Sequence, residues 1–163
     1  MTVQTLMEAV KAGVRECWPG EEIYTNYLPK DFKRPSFALE CQKTETTDVN
    51  PFLVQRTVIV LLTCFVPVNA YGDSSRKTLD QRMDALCARF AQGCFQVNDR
   101  AVRVQTDRGT SAPDFAEVTL TFAWLDKRPA CKDPNASGIP KMEIFEINGA
   151  VMTGKAPEKG NGE

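Results

Sequence analysis

The densest apolar stretch of the chain is Arg56 to Val68, RTVIVLLTCFVPV, hydrophobic at nearly every position from Val58 to Val66. The run is too short to cross a bilayer as a helix. Its β-branched residues and the absence of Gly and Pro before Pro67 predict a long central strand. Val58, Val60, Leu62, Cys64 and Val66 then point to one side, and Ile59, Leu61 and Phe65 to the other. Both sides are apolar and both call for cover. Helices of this chain are expected over one side. A second layer of the same chain, or a neighbouring subunit, is expected over the other.

Around this strand the pattern alternates between helical and extended periods. Val3, Leu6, Met7, Val10, Val14 and Cys17 make one helical stripe. Thr2 is placed as its N-cap and Trp18-Pro19-Gly20 as its stop, giving a helix over about 3–17. Glu22 to Tyr27 reads as a strand. Pro35 to Gln42 is a second, with Phe37, Leu39 and Cys41 alternating against polar neighbours. Lys43 to Asn50 is polar enough for a hairpin tip before the strand at 53–68, which favours antiparallel pairing. A second helix is expected over 75–91 from Leu79, Met83, Leu86, Cys87 and Phe90, capped by Asp73 or Ser74 and ended near Gly93. Phe95 to Thr106 predicts one strand, or two around Asn98-Asp99, and 107–114 a turn-rich connection. In Phe115 to Leu125, Val118, Leu120, Phe122 and Trp124 face inward, and Glu117, Thr119, Thr121 and Ala123 face away. A long loop over 126–140 and a final edge strand over 142–147 complete the order α-β-β-β-α-β-β, with that extra edge strand. The expectation is an α+β domain over 1–148, a mainly antiparallel sheet with two helices on one face, then a flexible tail over 149–163.

Composition narrows the function more than it names it. The 163 residues suffice for one domain with a core, and 42% hydrophobic with 25% charged residues is ordinary for a globular protein. A net charge of −1 supplies no basic field for nucleic acid or anionic membrane. The first ten residues lack the basic region of a signal peptide. Histidine is absent, which excludes His-based triads and general bases and most zinc sites. The six cysteines form no CxxC pair. Cys17, Cys64 and Cys87 sit in apolar registers, as free buried thiols of a reducing compartment would.

Isolated chemical signals each have an ordinary reading. Asp133-Pro-Asn135-Ala-Ser137-Gly138 opens like a calcium loop, but its twelfth position is Ile144 and no helices flank it. Arg100, Arg103 and Arg108 cluster as a phosphate contact would, yet Asp99, Asp107 and Asp114 interleave, as on a solvated or subunit-bridging face. Cys94, just after Gly93, is the candidate nucleophile, but without His its thiolate would need Lys, Arg or a helix N-terminus to lower its pKa. Tyr24 and Tyr27 read as core or interface aromatics. No catalytic, cofactor or metal set emerges, and the expectation is a non-enzymatic module that works by association.

The layout has a counterpart. The N-terminal helix, Trp18-Pro19-Gly20-Glu21-Glu22-Ile23-Tyr24-Thr25 and then Arg34-Pro35-Ser36-Phe37-Ala38-Leu39 resemble the tail terminator (tail completion) proteins of long-tailed bacteriophages and prophages of Gram-positive bacteria. The later elements follow in similar order, to about residue 148. The resemblance implies a small structural subunit of the virion, assembled in the host cytoplasm. It implies a homo-oligomeric ring, typically a hexamer, that caps the tail tube, ends its polymerisation and presents a face to the head connector. DNA would pass through the lumen without sequence-specific binding, and no membrane or cofactor is implied. Interface positions for such a ring are Lys43, Glu45 and Asp48 in the polar segment, Arg56 at the head of the central strand, Arg103, and Glu117, Thr119 and Thr121. The last three would line a lumen or meet solvent. A ring needs two different patches per subunit. The rival readings are another head–tail joining or minor tail assembly protein, a nucleic-acid-binding α+β module, and an enzyme using cysteine chemistry.

Overall fold

The computed structural model describes residues 1–129, 144–147 and 150–153. Met1–Arg128 form one compact unit and Pro129–Glu163 a second. The first holds α1 (Val3–Cys17), β1 (Glu22–Thr25), β2 (Ser36–Asp48), β3 (Leu53–Phe65), α2 (Arg76–Phe90), β4 (Cys94–Val97), β5 (Arg100–Ser111) and β6 (Phe115–Lys127). Its six strands form one sheet in the order β1-β2-β3-β6-β5-β4. Every pairing is antiparallel except β1 with β2. This is the expected α+β architecture, with β3 central.

The helices begin and end for local reasons. The Thr2 hydroxyl accepts from the Thr5 N–H at 3.2 Å, satisfying one of the orphan donors of the first turn. Trp18 closes α1, and Gly20 (φ 94°) takes the left-handed turn that Pro19 leaves open. α2 is capped by Ser75, one or two residues later than Asp73 or Ser74. Its hydroxyl accepts from the Thr78 N–H at 3.4 Å.

Both helices lie on one side of the sheet, with Leu6, Val10, Val14, Leu79, Met83, Leu86 and Phe90 buried against it. The even-numbered residues of β3 meet them: Val58, Val60, Leu62 and Cys64 are wholly buried. The matching residues of β6, Val118, Leu120 and Phe122, are equally so. Each such Val or Leu contributes about 1.5–3 kcal/mol by leaving water.

Two expected boundaries are corrected. The polar segment 43–50 is not a hairpin tip, because β2 continues to Asp48 against β3. Its Thr-rich sequence favours extension, and the turn is made by Asn50, whose side-chain oxygen accepts from the N–H groups of Phe52 and Leu53, both at 2.8 Å. Likewise β5 runs on through the supposed turn to Ser111. Between Arg108 and Ser111 the ladder bulges, absorbing Gly109 and Thr110. The segment 95–106 splits as the two-strand alternative had it, at Asn98, which takes a φ of 54°.

In the second unit, β7 (Ile144–Ile147) pairs with β8 (Ala150–Thr153) as a two-stranded hairpin. The final strand is therefore not an edge of the main sheet, and β8 lies within the segment read as tail.

Candidate interaction surface

The two sides of the sheet differ in cover. Opposite the helices, the odd-numbered residues of β3 are only half-buried over most of their length, and no other element of Met1–Arg128 lies over them. The register places them in rows. Ile59 stands between Lys43 on β2 and Thr121 on β6, with Gln105 beyond. Leu61 stands between Glu40 and Thr119, with Asp107 beyond. Thr57 stands between Glu45 and Ala123, with Arg103 beyond. The result is a strip of Ile, Leu, Thr and Ala with charges along both margins.

At one end this face is closed by its own chain. Phe32 packs on Phe65 with ring centroids 4.6 Å apart, and the Arg34 guanidinium lies 4.9 and 5.1 Å from the two ring centroids. Arg34 is held there by donating to the Asp114 carboxylate (2.7 Å) and the Asp114 and Val66 carbonyls (2.8 and 3.3 Å). Phe65 therefore finds its cover within Met1–Arg128, whereas Ile59 and Leu61 do not. At the other end Leu125 is exposed, as is Phe52 in the β2–β3 turn.

Lys43, Glu45, Arg103, Glu117, Thr119 and Thr121 all lie on this helix-free face, as their partners across the ladder require. Asp48 and Arg56 do not. They oppose Val54 and Trp124 on the helix side and are engaged there, Asp48 with Arg128 at 2.6 Å and Arg56 with Asp126 at 3.7 Å. The arginine cluster is dispersed in the same way. Arg100 pairs with Asp126 (3.4 Å), and Arg108 pairs with Asp80 and Asp84 of α2. Arg103 alone of the three stands on the open face. At Asp126 burial raises the carboxyl pKa, but the Met1 amine and Arg100 outweigh it and hold the group below its usual range.

The cysteines separate by environment. Cys64 is buried, and desolvation pushes its pKa up to about 11 although the nearby Arg82 guanidinium opposes this. Cys87 is half-buried and raised for the same first reason. Cys17, expected inside, is exposed at the C-terminal end of α1, beyond Val14, the last buried residue of the helix. Cys94 is exposed and lines a surface hollow with Glu16 and Arg89, which pair with each other at 2.7 Å. The calcium-like segment 133–138 lies outside the described residues. Among the described residues no three metal-ligating side chains converge, and no helix is long and apolar enough to cross a membrane.

Residues of the Trp-Pro-Gly-Glu and Arg-Pro-x-Phe segments are structural. Trp18 packs on Phe37 at 5.0 Å between centroids. Glu21 accepts two hydrogen bonds from Arg82, at 2.8 and 2.6 Å. The Tyr24 hydroxyl accepts from the Lys33 N–H at 3.2 Å. Sequence reasoning missed the Glu21–Arg82 pair because its halves are far apart in the chain. No protein-family model matches the chain, and no curated protein sequence matches it.

Proposed function

We propose that this chain is a structural subunit of the tail of a long-tailed phage, one that assembles as a ring on the finished tail tube, halts further addition and offers a docking face to the head connector. The observation that carries the reading is the half-covered strip centred on Ile59 and Leu61. A sheet face of aliphatic and Thr side chains with charged margins suits a protein neighbour, because apolar area drives association and the margin charges set register. The order of elements and the Trp18-to-Leu39 segment support the phage assignment by resemblance. The action is stoichiometric and needs no reacting group.

The test is to mix the purified chain with tail tubes and image the ends by negative-stain microscopy. Capped ends and tubes of fixed length are expected. Leu61→Lys, which places a charge in the middle of the strip, should leave the subunit folded and abolish capping. Tubes that continue to lengthen with bare ends in the presence of the folded wild-type chain would overturn the proposal.

A further inference from the structure

The two long edges of the sheet are not alike. β1 reaches only Leu39 of β2, and its register ends at Thr25; the Asn26 N–H then donates to the Leu39 carbonyl at 2.8 Å. From Glu40 to Asp48, β2 is bonded to β3 on one side and, among the described residues, to no strand on the other. Apart from Cys41, every residue of this stretch is exposed. Such an edge carries a row of unpaired backbone donors and acceptors, and its Thr44, Thr46 and Thr47 favour extension. The opposite edge is blunted: β5 is bulged between Arg108 and Ser111, and Arg108 is tied to α2.

We propose that the β2 edge pairs antiparallel with the β2 edge of a second copy of this chain, about a two-fold axis at Thr44. A symmetric pairing that keeps the two sheets flush opposes residues of the same face. Five centres from Lys43 to Thr47 satisfy this within the exposed stretch. Centred on Lys43, the two Lys43 ammonium groups would face each other, and centred on Thr47 no ion pair would form. Centred on Glu45, the two Glu45 carboxylates would face each other. Centred on Thr46, Glu45 would face Thr47 and Lys43 would face Val49, with no ion pair. Centred on Thr44, Lys43 faces Glu45 of the second copy and Glu45 faces its Lys43, so symmetry makes the favourable pair twice. Thr44 then meets Thr44. Lys43 and Glu45 already share a face, their charged groups 3.0 Å apart within the chain. Glu40 and Asp48, which are like-charged, fall at the outer ends, past the irregularity between Cys41 and Lys43 that shifts the register there. Charge thus selects one register. The pairing uses the backbone edge of β2, whose Lys43 and Glu45 also stand at the margin of the half-covered face; sedimentation of the free chain without tail tubes reads it separately from the tail assignment.

Sedimentation velocity of the full chain over a concentration series tests it, with Lys43→Glu, Glu45→Lys and the double exchange K43E/E45K. The wild type should form a reversible dimer. Either single exchange turns both symmetric pairs repulsive and should weaken the dimer about tenfold. The double exchange should return it to within about threefold of wild type. Amide hydrogen exchange at Thr44 and Thr46 should slow as the dimer fills. A monomer at all concentrations, a dimer indifferent to the single exchanges, a double exchange that fails to restore, or association that passes directly to larger species would each overturn the proposal.

Discussion

The Glu21–Arg82 pair provides a quantitative test of how the helices are tied to the sheet. The two side chains are only 16% and 15% exposed, and the guanidinium lies 5.7 Å from the ring centroids of both Trp18 and Phe37. Breaking a buried pair costs about 3–5 kcal/mol, while an exposed one is worth about 0–1. The residual exposure places this pair between them, so Glu21→Ala should cost about 2 kcal/mol. Arg82→Met keeps the aliphatic stem against Trp18 and should cost about the same. With both changed, no orphaned charge remains, and the double variant should lose about 1–2 kcal/mol less than the sum. Urea unfolding followed by Trp fluorescence reads all four chains. Each single variant should melt about 4–8 °C below wild type. Additivity to within about 0.5 kcal/mol would refute the coupling.

Other consequences follow from burial and charge. Phe122 is wholly buried and packs at a tilt against Phe95, ring centroids 5.9 Å apart, so Phe122→Ala should cost about 3–5 kcal/mol in the same urea assay. In the native chain Cys17 and Cys94 should react readily with a thiol reagent and Cys64 only on unfolding, as mass mapping after brief alkylation would show. Because the Cys64 pKa is raised from 9.0 to about 11, the unfolded chain releases that proton first as pH rises. The stability tied to the neutral thiol is therefore intact below pH 9 and lost between 9 and about 11, and Cys64→Ala should flatten that part of the stability–pH curve. On the open face, Ile59→Lys should leave the melting temperature nearly unchanged, since Ile59 lies outside the buried core.

The parts of the fold legible in the sequence were those with a strong period and a local stop. α1 was bounded within a residue because its apolar stripe, Thr2 and the Trp18-Pro19-Gly20 stop agree. β6 was readable in both faces because Val118, Leu120, Phe122 and Trp124 alternate without a break. The sequence pattern makes β2 and β5 shorter than they are because their outer halves, 43–48 and 107–111, are polar on both sides. Half-strands at the sheet margin whose own side chains stay exposed leave alternation almost nothing to mark. Only the cross-strand register of β2 on β3 and of β5 on β6 reveals those halves as sheet.

The interaction surface was half legible for a related reason. A two-sided apolar strand shows that something must cover each side, but not which side the helices take or how far the chain's own loops reach. Arg34 illustrates the gap. In sequence it is a basic residue before a proline. In the fold it bridges Val66 and Asp114 and, with Phe32, closes one end of the open face over Phe65. Its partners lie far along the chain, as Arg82 does from Glu21. The segments that carry the resemblance are thus halves of long-range clamps, and their residue types are set by partners that local sequence does not display. What the clamps leave uncovered is the Ile59–Leu61 strip, the part of the surface where association has apolar area to gain.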